Sequence, residues 1–147
     1  SAGTVVSPGT AKGPLLHLAD TEELTKLSVA PIISVNFRAD APQSAYIAEL
    51  QARIRALPTK PIIHVRRPYV VLSLLIGDVA GFVFDGGSLL CHLAILLREA
   101  GTPAVITTEP LTEADLQLAL ISNGTIAINS ESDGKGSYGN PYDPHDW

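Results

Sequence analysis

The chain has 147 residues, 15 acidic and 10 basic, with a net charge of −5 and an isoelectric point near 5.2. This acidic balance excludes a nucleic-acid or anionic-membrane partner held by a general basic surface. Hydrophobic residues make up 46% and aromatics only 5%, which predicts one domain around a mostly aliphatic core.

The opening SAGTVVSPG lacks the basic and apolar pattern of a secretory signal, so a cytoplasmic location is expected. The chain contains no Met; either an initiator is removed before Ser1 or the chain is a piece of something longer. Leu15–Leu18 reads as a short strand after a Gly/Pro loop. Val29–Phe37, β-branched and apolar, reads as another. Asp40-Ala41-Pro42 opens a helix, with Pro in its permitted first turn. Tyr46, Ile47, Leu50, Ile54 and Leu57 recur at three and four, giving one apolar stripe, and Pro58 ends it.

Pro61–Val65 is predicted as a strand, Arg66-Arg67-Pro68 as a turn, and Val70–Ile76 as a short buried helix. The apolar run Tyr69–Phe84 is short and broken by Gly77 and Asp78, so it is buried structure and not a membrane span. Gly81–Phe84 is a continuous apolar strand. Ser88 is the expected N-cap of a helix from Ser88 to Ala100. Gly101 is the expected left-handed stop, with Pro103 shortly after. That helix is apolar nearly all round, so Leu93, Ile95, Leu96 and Leu97 are not all expected in one core, and part of it should meet a partner. Cys91, the single cysteine, excludes an intramolecular disulfide, and no zinc cluster is expected. Ala104–Thr107 returns as a strand. Alternation from 61 to 107 predicts parallel βαβ units in an α/β fold.

Thr112-Glu113-Ala114-Asp115 resembles a capping box and predicts a helix ending near Asn123-Gly124. The last residues, 130–147, are polar and rich in Gly and Pro and read as a tail or docking strap.

The richest stretch is DGGSLLCHLAILLREAGTPAVI, from Asp85 to Ile106. It reads as strand end, double-glycine turn, helix start with Cys91-His92, glycine stop and new strand. A histidine in the first turn of a helix meets orphan N–H groups and the positive end of the dipole, both favourable to an anion. Gly86, Gly87, His92, Ala94, Ile95, Arg98, Gly101, Pro103, Ala104 and Val105 resemble the motif of the swivelling phosphohistidine (mobile) domain of phosphoenolpyruvate-utilising enzymes. Ser7-Pro8-Gly9 with Lys12-Gly13-Pro14 resembles that family's opening loop. Asn123-Gly124-Thr125-Ile126-Ala127-Ile128 resembles its closing hairpin. Residues 21–57 match no part of the pattern. Between the glycines and the histidine the family usually writes a variable residue, Thr, then Ser or Cys. This chain writes Ser88-Leu89-Leu90-Cys91, one residue longer, with Leu90 where the hydroxyl is expected.

The resemblance implies a compact single-domain swivelling β/β/α fold over residues 1–129. It also implies that His92 is a phosphoacceptor shuttling a phosphoryl group between separate donor and acceptor domains. Gly86, Gly87, Ser88, Cys91, Asp85 and Arg98 would support it. The chain has no P-loop and no dinucleotide fingerprint, so no cofactor is expected on it. Mg and ATP or phosphoenolpyruvate are implied for a nucleotide-binding or phosphoenolpyruvate/pyruvate-binding domain or subunit. The alternative is a non-catalytic interaction or regulatory module on the same fold.

Asp85 either orients His92 or ends its strand. Arg98, six residues after His92, lies about 240° around the helix and is expected to form a salt bridge or dock a partner. Arg66 and Arg67 form either a solvated turn or a phosphate contact. His17 and His64 read as core or edge histidines. His145 carries only a slight metal reading.

Overall fold

The computed structural model describes residues 3–18, 42–108, 111, 117–122 and 124–128. Strands β1 (Gly3–Ser7) and β2 (Thr10–His17) open the chain, followed by helix α1 (Pro42–Arg55) and strand β3 (Ile62–Val65). A 3-10 helix (Val70–Asp78), β4 (Gly81–Phe84), helix α2 (His92–Ala100) and β5 (Ala104–Thr107) come next. The hairpin strands β6 (Leu118–Ser122) and β7 (Thr125–Ile128) close the described part.

The predicted βαβ alternation is present. β2, β3, β4 and β5 run parallel side by side, the 3-10 helix linking β3 to β4 and α2 linking β4 to β5. The whole sheet has the order β1-β5-β4-β3-β2-β6-β7. β1 runs antiparallel to β5, and β7 antiparallel to β6. β2 serves two partners. Its first half, Thr10–Pro14, pairs antiparallel with β6, and Leu15–His17 pairs parallel with β3. β1 and β7 approach each other across the remaining gap, so the seven strands form a barrel-like sheet in a mixed α/β single domain.

Period-two alternation assigns the side chains to two cores. Leu16, Ile63, Val65, Phe82 and Phe84 face the helices and pack with Ile47, Leu50, Ile54, Leu72, Leu75, Leu93 and Leu97. Leu15, Ile62, Val83 and Val105 face the other way, onto Ala119, Ile121 and Ile126. Full burial of each such side chain stabilises the fold by roughly 1.5–3 kcal/mol. The stripe read on α1 holds: Ile47, Leu50 and Ile54 are buried, Tyr46 and Leu57 half-buried. A bidentate pair from Arg55 to Asp78 ties α1 to the end of the 3-10 helix. It is too exposed on the arginine side to add much stability.

Two expectations change. The first predicted strand is longer at its start, from Thr10, because β6 supplies a partner for Thr10–Pro14. The short buried helix read at 70–76 is present, as a 3-10 helix over Val70–Asp78 with Val71, Leu72 and Leu75 buried. The helix expected to end near Asn123-Gly124 gives way to strand β6, since Leu118–Ser122 pairs with both β2 and β7. The hairpin implied by the resemblance is therefore the arrangement that forms, with Gly124 at positive φ. The capping box at 112–115, the strand at 29–37 and the tail at 130–147 lie outside the described residues. Among the described residues, no helix is long and apolar enough to cross a membrane.

Candidate functional site

Strands β2, β3 and β4 are parallel, so their carboxyl ends lie together, where ligands of such sheets characteristically bind. Three features converge there: the turn after β3, the loop after β4, and the start of α2. The loop is fixed to the turn by the backbone N–H of Asp85, which donates to the carbonyl of Arg66 at 3.2 Å. Gly87 has φ +131, and a Cβ there would stand 2.5 Å from Cδ of Pro68. Only glycine lets the loop lie against that proline. Gly86 has no neighbour within 4 Å of an added Cβ, so local packing does not require it.

Ser88 does not cap the helix. Its Oγ accepts from the Leu90 N–H at 3.0 Å and closes a turn over 88–91. The helix begins at His92, and Cys91 is its N-cap, with Sγ accepting from the Ala94 N–H at 3.4 Å. The extra residue between the glycines and the histidine is absorbed by this turn, which leaves Leu90 83% exposed. His92 stands exposed at the first helical position, where the dipole argument holds. Gly101 ends the helix with φ 74, as expected, its N–H bonding back to Arg98 and Leu97 carbonyls. Leu93 and Leu97 are buried, but Ile95 is 46% exposed. The four apolar residues therefore do not share one core.

Among the described residues Arg98 makes no salt bridge and bonds instead to two main-chain carbonyls. Its Nε donates to the Val6 carbonyl at 2.8 Å and its Nη2 to the Leu89 carbonyl at 2.6 Å. It anchors the turn preceding His92 to strand β1. The side chain reaches back along the helix, which is why a residue far from the histidine's face still holds the histidine's loop.

Asp85 bonds not to His92 but to His64, Oδ1 to Nε2 at 2.8 Å. His64 in turn meets His17, Nδ1 to Nδ1 at 2.6 Å. The parallel register sets His17 beside His64, and Asp85 lies two residues beyond Val83, the β4 partner of His64. The three side chains thus share one face at one end of the sheet. His64 is 9% exposed. Sequence reading treated both histidines as isolated. The only signal for their union was that each sits at the end of an apolar strand.

The turn and the loop together enclose an open cavity of about 350 Å³ lined by Arg66, Arg67, Pro68, Asp85, Gly86 and Gly87. Asp85, Gly86 and Gly87 are therefore brought together with the two arginines, whereas Ser88, Cys91 and Arg98 build the start of α2. Among the described residues, no group of three or more His, Cys, Asp or Glu could hold a metal ion.

Residues 64–132 match the family model described as PEP-utilising enzyme, mobile domain. Among solved structures, the chain is similar to the N-terminal domain of Enzyme 1 - Nitrogen, at 12% identity and a TM-score of 0.56, covering 90% of this chain and 94% of that one. A UPF0107 protein solved by solution NMR is 11% identical with a TM-score of 0.47, covering 88% of this chain and 98% of that one. No curated protein sequence matches the chain. At 12% identity the likeness to the Enzyme 1 domain is one of fold.

Proposed function

Residues 64–132 belong to the mobile domain of the PEP-utilising enzymes, and on that premise we propose that the chain is a phosphoryl carrier with His92 as its phosphoacceptor. The observation that carries the reading is the position of His92: exposed, at the first residue of α2, inside the stretch shared with the family. A neutral imidazole nitrogen gives its lone pair to phosphorus. The P–N bond forms as the donor's P–O bond breaks, and the leaving oxygen takes that electron pair. The phosphoramidate then passes the group to an acceptor, leaving the imidazole free again. Such transfer asks the protein mainly for positioning and charge stabilisation. The free N–H groups at the helix start supply the second, and the hold of Arg98 on Leu89 supplies the first.

The donor, ATP or phosphoenolpyruvate with Mg, belongs on this reading to a partner domain or subunit. The chain is then one moving part of a phosphotransferase. The test is incubation with a radiolabelled donor and its cognate partner, followed by peptide mapping at neutral or basic pH. An acid-labile label on His92, lost in His92→Ala and kept in His17→Ala and His145→Ala, is the expected result. Label on another residue, or none with a partner of demonstrated activity, overturns it.

A second reading, a regulatory or interaction module without phosphorylation, is favoured by one observation. Leu89, Leu90 and Ile95 are 37%, 83% and 46% exposed around His92, where the family pattern puts a hydroxyl in place of Leu90. Partner binding that survives His92→Ala, with no label formed, would select it.

A further inference from the structure

We propose that the exposed apolar face formed by Leu89, Leu90 and Ile95 around His92 is the docking surface for the domain or subunit that holds the phosphoryl donor, and that Leu90 is its anchor. The identity of the occupant rests on the carrier reading; the face itself does not.

Of the five large hydrophobic side chains exposed among the described residues, three lie within three residues of His92: Leu89, Leu90 and Ile95. Single exposed apolar residues are ordinary, but a cluster around one polar residue marks a contact site. Around α2, at about 100° per residue, Ile95, Glu99, His92 and Leu96 fall within one sector of about 100°. All but the half-buried Leu96 are exposed, so the histidine and the apolar residues share one face. Leu90 is presented on a braced turn. Its N–H donates to Ser88 Oγ at 3.0 Å, and the Cys91 N–H donates to the Ser88 carbonyl at 3.4 Å. Arg98 holds the Leu89 carbonyl and is itself tied to Val6. A leucine held out in water on a fixed turn loses little further freedom on binding, which suits it to be an anchor.

The kind of partner follows from reach, area and charge. In transfer, phosphorus must come within about 3–3.5 Å of a His92 ring nitrogen. Ile95 and Leu96 stand one helical turn away, with Cβ atoms about 5–6 Å from that of His92. A donor held in a protein pocket cannot approach so closely unless the pocket rim rests on them. The exposed parts of three aliphatic side chains fall well short of the ~800 Å² per partner that a stable interface buries. That opposes a permanent pair of copies of this chain and favours a contact that forms and breaks, as a carrier's must. Glu99 is exposed one further turn along the same face, and the chain has a net charge of −5. A pocket that binds ATP or phosphoenolpyruvate needs basic groups, so its rim is attracted to this face. The partner surface should combine an apolar hollow for Leu90 with a Lys or Arg opposite Glu99.

The whole chain is compared with Leu90→Ser, Ile95→Ser and His92→Ala. Each variant is first checked for a native amide spectrum, and Leu89→Ser replaces an apolar variant that fails. Binding to the cognate donor domain is measured by calorimetry. Labelling of His92 is measured with that domain and its donor, and separately with phosphoramidate. This small donor releases ammonia as its phosphorus passes to the imidazole, and it needs no docking. Roughly tenfold weaker binding is expected in Leu90→Ser and in Ile95→Ser, while His92→Ala should form no label yet still bind. In the two serine variants, labelling by the donor domain should slow by a similar factor relative to labelling by phosphoramidate. Equal binding in the serine variants, or no binding of the donor domain by the parent chain, overturns the docking face. A dimer of this chain that dissociates in Leu90→Ser, seen by sedimentation, overturns the occupant in favour of a second copy. Binding that Leu90→Ser weakens, with no label from either donor, leaves the face standing and overturns the carrier reading alone. Label on His92 from the donor domain at equal rates in all three apolar sequences overturns the face and leaves the carrier reading intact.

Discussion

His17 and His64 meet through their Nδ1 atoms at 2.6 Å, and only one proton can lie between two such atoms. Asp85 accepts from His64 Nε2 at 2.8 Å, so in the neutral pair His64 carries its proton on Nε2 and accepts at Nδ1. His17 must then donate from Nδ1. Nitrogen-15 spectra at pH 8 are expected to give the Nε2–H tautomer for His64 and the Nδ1–H tautomer for His17. Replacing His17 with Phe strands a buried acceptor on His64 and should destabilise the fold by about 1–2 kcal/mol, measured by chemical denaturation.

The two glycines before the motif turn separate by their surroundings. Gly87→Ala meets both a left-handed penalty and the ring of Pro68 and should lower stability by about 2–4 kcal/mol. Gly86→Ala meets nothing and should stay within about 0.5 kcal/mol of the parent. If Gly86→Ala nonetheless slows labelling of His92 by the cognate partner, the glycine is kept for an approaching group rather than for the fold.

Cys91 caps α2 with a sulfur, a weaker acceptor than a hydroxyl. Cys91→Ser should therefore keep or slightly raise stability. Cys91→Ala should lower it by about 0.5–2 kcal/mol, the usual effect of losing a cap. Thermal or denaturant unfolding of the three chains checks the order.

Arg98 spans from the Val6 carbonyl to the Leu89 carbonyl. A lysine has one compact ammonium group and cannot reproduce both bonds with the same geometry. Arg98→Lys should lower stability by about 1–2 kcal/mol, and amide shifts should move at Leu89, Leu90 and Ser7 while α2 stays helical. Under the carrier reading, labelling of His92 should slow as well, because its turn is released.

Gly101 has φ +74, and an added Cβ would have open space around it. The effect of Gly101→Ala is then the conformational strain alone, about 1–2 kcal/mol. Gly101→Asn should show less, since Asn tolerates the left-handed region better. Unfolding midpoints of the two variants provide the comparison.

What the amino-acid sequence determined by itself is local in origin. The three-four spacing of Ile47, Leu50 and Ile54, the apolar run Gly81–Phe84 and the stop at Gly101 each depend on neighbours a few residues away, and each stands in the structure as read. The start of α2 was legible only in part. Ser88 and Cys91 both offer a side-chain acceptor before an apolar helix. Which one caps it follows from a turn fastened by Arg98, nine residues beyond Leu89. Leu118–Ser122 was misread for a similar reason, since its strand form comes from pairing with β2, more than a hundred residues earlier. The histidine chain was decided by tertiary structure alone. His17 and His64 are 47 residues apart, and His64 and Asp85 21. No periodicity links such positions; strand register brings them together, because parallel pairing sets residues opposite one another whatever the length of chain between.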